Sequence, residues 1–460
     1  MNVSEGTVSP PAGQSQSRLI RFIKLVLYPL FWLIRHPSRA AALGVTMVLV
    51  VLFIAVAGLW LWTGYHLAQA RNDVARGHNA AAYSHLQKCA IIRPDNPEVL
   101  ILSARIARRS GATDEAEALL YRYEGQHGMS EALVLERLLL RAATGEVEAV
   151  EAQLTARSAS DGPDSELAFE GLVSGLITRF RWAEAYRYLA EWRARYPQST
   201  AALLLAGKLE EQRQGYELAI GYYRQILEID TDQDEARLRL ATQLVENRRG
   251  DEALAHVEAL RARLPNHPEV EVLWVRALAL NGRATESRAA LAECLRRNPE
   301  YPPALLESGG FALLDGDEVA AEQIFRHALN LNPDNLVAHN QYAFALARTG
   351  KAEEAAKARA VAESRKADLE RITFLIGGPL QSSPNDPALH REIAQIALRA
   401  GQVREALRWF STALQVDPND IATHKALALL YRELDKPVLS AKHRALAQRP
   451  GDQPIINVTP

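Results

Sequence analysis

Residues 387–418 read PALHREIAQIALRAGQVREALRWFSTALQVDP, and the pattern of this stretch recurs along most of the chain. Its first half places apolar residues at helical spacing and breaks at Gly401. Its second half does the same and ends at Asp417-Pro418. Glycine supplies a left-handed cap that ends a helix, and the residue before a proline is pushed out of the α region. The stretch therefore predicts two helices joined by a tight turn.

Small residues stand where the two helices of this hairpin must approach each other closely. Ala394, Ala406 and Ala413 take these positions, and larger residues such as Trp409 and Phe410 fill the spaces between them. Antiparallel helices that pack ridge into groove require this alternation of small and large side chains.

The hairpin pattern returns every 34 residues. The closing position is held by Pro197, Thr231, Pro265, Pro299 and Pro333 and, after a shift of 17 residues, by Pro384 and Pro418. The turn position is held by Gly77, Gly111, Gly145, Gly282, Gly316, Gly350 and Gly401, with Gly215 one place late. A fixed period in this range is typical of a solenoid.

Period, turn glycine and closing proline together resemble the tetratricopeptide repeat family, from about residue 63 to about residue 450. The resemblance implies an all-α fold, a right-handed α-solenoid of about eleven helix-turn-helix repeats. Such a fold grows by adding neighbouring units, so a chain of this length needs no division into compact domains. The turn glycine is displaced at Asn247 to Gly250 and replaced at Asp435 to Pro437.

Ahead of the repeats, Ala40 to Trp62 is a run of 23 residues without a charged side chain. At about 1.5 Å per residue, a helix of this length crosses a hydrocarbon core of roughly 30 Å. A cleaved signal peptide and a buried core helix are the alternatives. The length of the run and the aromatic residues Trp60 and Tyr65 at its end favour a transmembrane helix. The first repeat helix starts near Thr63, so one continuous rod is predicted.

The charges that flank this run predict its orientation. Only Arg71 and Arg76 follow it within the next twenty residues, whereas five cationic residues precede it: Arg18, Arg21, Lys24, Arg35 and Arg39. Because cationic flanks remain in the cytoplasm, the N-terminus is predicted to be cytoplasmic. The repeats are then extracytoplasmic, which in a bacterial cell means an inner-membrane protein with a periplasmic solenoid.

The other boundaries follow from composition. Residues 1–17 are polar and predicted to be disordered, as is the tail at 451–460. Residues 18–39 form a basic, aromatic segment that either lies in the membrane interface or simply links to the span at 40–62.

The repeat array is interrupted once. Repeats are predicted over 63–369 and 387–450, with a half-repeat insertion at 370–386. The helix-forming run before Gly377-Gly378-Pro379 predicts that the second helix of that repeat is prolonged. We expect the insertion to bend the superhelix and to set the last two repeats apart as a lobe.

No motif for catalysis or cofactor binding is present, since the chain contains no CxxC, HExxH, GxGxxG, GxxxxGK[ST] or GxSxG. Neither an enzyme nor a cofactor or metal site is predicted. The net charge of −2 gives no general reason to expect nucleic acid. Four histidines stand in separate repeats and are interpreted as solvated: His327, His339, His390 and His424.

The two cysteines are predicted to be buried packing residues. Cys89 and Cys294 occupy the repeat position that Ala328 and Ala413 hold elsewhere. A small hydrophobic residue in a helix interface fits that position. Six repeats separate the two cysteines, so they cannot pair within one chain, and two free thiols identify no compartment.

The family resemblance implies an inner groove lined by the second, fifth, ninth, twelfth and thirteenth places of each first helix. The lining is mixed to acidic at Glu170, Lys208, Glu211, Glu235 and Glu246, and apolar at Val272, Leu280, Leu306 and Leu313. The partner-binding residues predicted from these places are Arg276, Leu306, Asn340, Phe344, Arg348, Arg391, Gln395, Arg399, Lys425 and Arg432. An apolar floor beside a basic patch suits a peptide that carries acidic residues. The alternative is that these are solvated side chains without a partner.

The sequence thus predicts a membrane-anchored scaffold that binds a protein or peptide in the groove. The resemblance leaves a second reading open, an accessory or regulatory subunit of an envelope-biogenesis, cytochrome-maturation or secretion assembly. The sequence carries no signal for the oligomeric state.

Overall fold

The structure is a computed structural model that describes residues 37–448. The segments predicted to be disordered, at 1–17 and 451–460, lie outside the described residues, as does most of the basic segment at 18–39. The helices are α1 Pro37–Arg76, α2 Asn79–Ile92, α3 Pro97–Arg109, α4 Thr113–His127, α5 Glu131–Ala143, α6 Val147–Ser158, α7 Ser165–Thr178, α8 Trp182–Arg195, α9 Thr200–Gln212, α10 Tyr216–Ile229, α11 Asp234–Glu246, α12 Gly250–Arg263, α13 Pro268–Leu280, α14 Ala284–Arg297, α15 Pro302–Leu314, α16 Glu318–Leu331, α17 Leu336–Arg348, α18 Ala352–Gly377, α19 Pro379–Ser382, α20 Pro387–Arg399, α21 Val403–Val416, α22 Ile421–Glu433 and α23 Pro437–Ala447.

These helices form an α-solenoid of eleven antiparallel hairpins within the described chain, numbered here as repeats 1 to 11. Repeat 1 is α1 with α2, and the pairs continue in order to α17 with α18. After the short α19, repeats 10 and 11 are α20 with α21 and α22 with α23. Each hairpin packs on its neighbours in the chain, which is how a solenoid builds a continuous core.

The turn inside each hairpin takes the left-handed conformation that the sequence predicts. All seven glycines assigned to the turn position have φ between 71° and 94°. Four other hairpins place a residue other than glycine there, namely Phe180, Gln214, Arg248 and Asp435. Gln214, with φ of 62°, explains why Gly215 lies one place late, because the residue before it makes the turn.

The small-residue position that opens each second helix is buried, as predicted. Its alanines, Ala82, Ala116, Ala185, Ala219, Ala253, Ala321, Ala355 and Ala406, are all buried. Repeats 7 and 11 carry Ser287 and Ser440 at this position instead. Their hydroxyl groups donate to the carbonyl oxygens of Val275 and Ala428 at 2.8 and 2.7 Å, so the polar group is satisfied within the interface.

The first helix confirms the predicted continuous rod. α1 runs for 40 residues from Pro37 to Arg76, about 60 Å at 1.5 Å per residue, and its last turns pair with α2 in repeat 1. Within the described chain it is the one helix long and apolar enough to cross a membrane, over Thr46–Arg76. Only 6% of its most apolar window is buried, unlike a helix in a protein core.

The prolonged second helix is also present. α18 extends for 26 residues and ends at Gly377, followed by the single turn of α19. The redirected chain brings repeat 10 back onto repeats 3 and 4, so the expectation of a lobe set apart from the others is wrong.

Repeat 10 meets repeat 4 through a pair of stacked rings, here called the Phe180–Trp409 contact, and we call this meeting of the repeats the closure. The ring of Phe180, in the turn of repeat 4, stacks on that of Trp409 in repeat 10 with centroids 5.5 Å apart and planes 11° apart. Gln381 Nε2 donates to the carbonyl oxygen of Phe180 at 2.6 Å, and the guanidinium of Arg179 donates to Thr412 Oγ1. These groups lie more than 200 residues apart in the sequence, so the solenoid is joined to itself across non-neighbouring repeats.

The interpretation of the histidines as solvated is wrong for His390 and His424, which are buried. Together with His339 they share one role. Each Nε2 donates to the carbonyl oxygen of the closing proline six residues earlier, at 2.7, 2.7 and 3.0 Å for His339, His390 and His424. Because an inter-repeat loop has few backbone partners, this bond holds the loop against the next helix.

Candidate functional site

The first helices of the repeats form the inner layer of the solenoid, since consecutive first helices contact each other through repeats 1 to 5 and through repeats 6 to 9. Their fifth, ninth and thirteenth places recur at equivalent positions from repeat to repeat. Any groove that binds a partner along the inner face must be built from these side chains.

The N-terminal half of this inner surface is bridged by the chain itself. The turn from Arg76 to His78, which ends α1, reaches across to the starts of α9 and α11. His78 Nε2 lies 2.7 Å from Asp230 Oδ2, and the carbonyl oxygen of Arg76 accepts a bond from Thr200 Oγ1 at 3.4 Å. The side-chain amide of Gln233 donates to the same carbonyl. The turn therefore spans this part of the inner face and joins repeat 1 to repeats 5 and 6.

Beneath this turn, Glu170 forms the centre of a buried ionic network. Its carboxylate accepts bonds from Arg108 at 3.0 Å and from Arg109 at 2.6 Å, and Arg109 also donates to the carbonyl oxygen of Val74 at 3.0 Å. Burial alone would raise the pKa of Glu170, but the guanidinium groups of Arg109 and Arg108 outweigh it and hold the pKa well below its usual range. The network binds α3, α7 and α1 together.

Further along the inner face, charged residues of adjacent first helices neutralise one another. The ion pairs are Arg105 with Glu136 at 2.6 Å, Lys208 with Glu235 at 2.7 Å, Arg239 with Glu211 at 2.8 Å and Arg276 with Glu307 at 2.6 Å. In the stretch predicted to be mixed to acidic, Lys208, Glu211 and Glu235 are thus paired, whereas Glu246 forms no ion pair among residues 37–448.

Pairing extends to most of the cations predicted to bind a partner. Besides Arg276, Arg348 pairs with Glu318 at 2.6 Å, Arg391 with Asp420, and Arg399 with Asp368. Among the predicted cations, Lys425 and Arg432 are exposed and form no ion pair within residues 37–448. The uncompensated positive charge of the predicted site is therefore confined to repeat 11.

Fewer of the predicted apolar residues reach the surface of the groove than expected. Val272 is buried in the core beside Val275 and Leu291, so it does not line the surface. Leu306 is half-buried against repeats 8 and 9, and Asn340 and Gln395 are exposed. Phe344 is 50% exposed, a large apolar side chain with little cover from its own chain.

An open apolar patch remains on α15 and α17, and we name it the 306–344 patch after its members Leu306, Gly310, Asn340 and Phe344. Leu306 and Asn340 hold the fifth place of successive first helices, and Gly310 and Phe344 hold the ninth. Residues four apart on a helix share a face. The four positions therefore form one continuous surface on neighbouring inner helices.

Gly310 is the residue that sequence reasoning missed. Its neighbour Gly309 is required by packing, since a Cβ there would lie 2.4 Å from Phe325 Cε1. A Cβ at Gly310 would meet nothing within 4 Å. Glycine inside a helix costs about 1 kcal/mol relative to alanine, and no contact within the described chain requires it at this position. Gly310 holds the ninth place of α15, which is one of the places predicted to line the groove. It was not predicted to bind a partner because glycine has no side chain that could make a contact.

The remaining reactive groups are isolated. Within residues 37–448 no three histidine, cysteine, aspartate or glutamate side chains are grouped to hold a metal ion. Cys89 and Cys294 are both buried, as predicted, and burial raises the pKa of each thiol. Low-pKa, accessible thiolates are the reactive ones, so both cysteines fit a packing role.

The fold and inner surface define a helical-repeat protein of the solenoid class. Models of the tetratricopeptide repeat match residues 73–138 and 211–273, and a second such model matches residues 272–335. The chain thus carries tetratricopeptide repeats over these residues.

A curated relative is the TPR repeat-containing protein PA4667 of Pseudomonas aeruginosa, 26% identical over 227 residues. The match covers 49% of this chain, and the chain spans about a third of the relative's length, 35%.

Solved structures of similar architecture include PilW, described as a widely conserved type IV pilus biogenesis factor. It is 18% identical with a TM-score of 0.38, covering 43% of this chain and 92% of its own. YrrB, described as a TPR protein with an unusual peptide-binding site, is 16% identical with a TM-score of 0.33, covering 43% of this chain and 95% of its own.

Proposed function

We propose that this chain is a membrane-anchored scaffold that holds a protein or peptide partner against the 306–344 patch. The observation that carries the proposal is the contrast between the two halves of the inner face. The N-terminal half is bridged by the turn at Arg76 to His78 and its charges are paired, whereas the patch leaves Phe344 half-exposed beside the open space at Gly310.

The chemistry of the patch indicates the kind of partner. An apolar side chain of a peptide can pack against Phe344 and Leu306, while Asn340 offers an amide to a backbone group. The small size of Gly310 allows a ligand backbone to approach the helix closely. Acidic residues further along the peptide would meet Lys425 and Arg432, which pair with no carboxylate among residues 37–448.

The anchor in this proposal is α1. Its exposed face carries large apolar side chains such as Met47, Leu49, Phe53 and Leu61. An apolar surface of this length is stable in lipid and costly in water. With five cationic residues before the span and two after it, the N-terminus is cytoplasmic and the solenoid extracytoplasmic, in a bacterium at the inner membrane.

A reporter fused after Pro460 tests the orientation. Alkaline phosphatase at this point is expected to be active, because it folds only outside the cytoplasm, and green fluorescent protein is expected to be dark. Exchanging the two reporters to a position before Arg18 should reverse both results. A fluorescent C-terminal fusion would show that the charge argument gives the wrong orientation.

Substitution of Gly310 by tryptophan tests the patch. A Cβ at this position meets nothing within 4 Å, so we expect the fold to accept the substitution, while the indole fills the space where the partner docks. With a photoreactive phenylalanine analogue at Phe344 in native membranes, we expect the cross-linked partner to fall by about tenfold or more, equivalent to ~1.4 kcal/mol of binding.

The matched control is Gly221→Trp. Gly221 is also a helical glycine with nothing within 4 Å of its Cβ position, but it lies on the second helix α10 rather than on an inner helix. Its substitution should leave the cross-link unchanged. If Gly221→Trp abolishes the cross-link and Gly310→Trp does not, binding uses the outer face and the proposed groove is wrong.

A further inference from the structure

The pairing of α1 with α2 places the end of α2 at the depth of the apolar span. The two helices are antiparallel and their register is given by three contacts. His66 Nδ1 lies 2.7 Å from His85 Nδ1, Cys89 Sγ lies 3.6 Å from the carbonyl oxygen of Thr63, and the guanidinium carbon of Arg93 lies 3.3 Å from the ring centroid of Trp60. Residues closer to the C-terminal end of α2 therefore lie beside residues earlier in α1.

In this register Ile91 and Ile92 lie level with Leu61 and Trp60, inside the uncharged run that ends at Trp62. Ile91 is 81% exposed and points away from α1, since the buried face of α2 is formed by Ala82, Leu86 and Cys89. An isoleucine this exposed at the end of a helix has no packing role within the described chain. Its position beside the uncharged run of α1 indicates that lipid covers this side chain.

Cations accompany this apolar end. Lys88 is exposed, and neither Lys88 nor Arg93 has a carboxylate partner within residues 37–448, whereas most arginines of the inner face are paired. Arg93 differs from Lys88, because its guanidinium lies over the ring of Trp60 and its Nη2 is buried there, without a hydrogen-bond partner in the described chain. Long cationic side chains beside an apolar surface extend their charged ends towards phosphate groups at the membrane interface.

We propose that the C-terminal end of α2 seats in the membrane interface, with Ile91 at the boundary of acyl chains and headgroups and with Lys88 facing anionic lipid phosphates. This inference rests on the proposal that α1 spans the bilayer. Repeat 1 then attaches to the membrane at two points, the span and the end of α2. Two attachment points fix the tilt of the solenoid, and with it the direction in which the groove faces.

The test uses the full chain in vesicles of phosphatidylcholine and phosphatidylglycerol. An environment-sensitive fluorophore is attached at Ile91→Cys, at Phe53→Cys in the span, or at the exposed Val438→Cys on α23, each in a Cys89→Ala, Cys294→Ala background. Alanine already holds the position of both native cysteines in repeats 8 and 10. Lipids carrying a nitroxide near the headgroup should quench the label at position 91 about twofold more than that at position 438.

The three positions separate the possible failures. If the label at position 53 is quenched by nitroxides deep in the acyl chains while that at 91 behaves like that at 438, the seating of α2 is wrong and the anchor stands. If neither 53 nor 91 is quenched, the anchor itself is wrong. Lys88→Gln should reduce the excess quenching at position 91 by about half in vesicles with phosphatidylglycerol. An unchanged excess would overturn the role given to Lys88.

Discussion

Replacing Glu170 with alanine is expected to lower the free energy of unfolding by about 3 to 5 kcal/mol. Glu170 is 7% exposed, and its carboxylate is the acceptor for Arg108 and Arg109. Its removal leaves Arg109 without a carboxylate partner among residues 37–448, and it leaves Arg108 with Glu136 alone, whose Oε2 lies 3.6 Å from Arg108 Nε. An uncompensated, largely buried charge costs more than the intact network contributes to stability. Denaturant unfolding of the detergent-solubilised chain, followed by circular dichroism, measures the loss.

Glu217→Ala is the matched control for this experiment. Glu217 also pairs with an arginine, Arg249 at 3.2 Å, but its side chain is exposed to solvent. Loss of such a surface pair should cost less than about 1 kcal/mol. Equal losses for the two variants would mean that Glu170 is solvated and that the inner face of the N-terminal half is open.

The same carboxylate predicts a pH dependence. The folded-state pKa of Glu170 is lowered, so its contribution is fully present above the pKa of a glutamate in the unfolded chain, roughly 4.3. The contribution is lost as the pH falls through the folded-state pKa. The stability difference between the native chain and Glu170→Gln should thus be constant from neutral pH to about 5 and shrink on further acidification. A difference that grows in acid would have the wrong sign.

Replacing Trp409 with alanine should cost about 3 to 5 kcal/mol as well, but in a different place. Trp409 is buried, and it packs both on its own repeat and on Phe180. Because repeats are stabilised by their neighbours, we expect α20 to α23 to lose protection first. Hydrogen exchange resolved by peptide should show this loss together with increased exchange in the turn at Phe180. A loss confined to repeat 10, with the turn of repeat 4 unchanged, would contradict the closure.

Phe180→Gly isolates the closing contact from the core of repeat 10. Phe180 has φ of 57°, a conformation that glycine adopts without strain, so the local turn should gain stability while the stack on Trp409 is lost. Gln214→Gly is the control, because Gln214 has φ of 62° at the equivalent turn, and its side chain forms no hydrogen bond to the C-terminal repeats within residues 37–448. It should only stabilise. Faster exchange in α20 and α21 is expected for Phe180→Gly alone.

Local features of the fold could be predicted because each depends on residues close together in the chain. The turn glycines, the buried alanines at the start of each second helix and the continuous α1 all follow from periodicity and helix geometry. The sequence also showed where a repeat departs from the pattern. The turn glycine of repeat 5, Gly215, is one place late, and the structure has a left-handed residue, Gln214, at the turn position. In a solenoid each repeat packs mainly on its neighbours in the chain, so the order of repeats in the sequence predicts their order in the structure.

The candidate site was predicted less well. Val272, one of the places predicted to line the inner face, is buried, and the arginines at 276, 348, 391 and 399 are paired with carboxylates. The sequence does not show whether an arginine forms an ion pair. Only the distance to a carboxylate on the next helix distinguishes a side chain that is available to a ligand from one that joins two repeats.

The sequence by itself determined the period, the hairpins, their turns and the uncharged run that becomes α1. Tertiary structure alone decided that the turn at Arg76 to His78 bridges the groove, that Phe180 meets Trp409, and that the 306–344 patch stays open. The physical reason is that superhelical twist accumulates from a small rotation at every repeat, set by side-chain packing across each interface. Small differences in that rotation add up over several repeats, and they decide which distant surfaces meet.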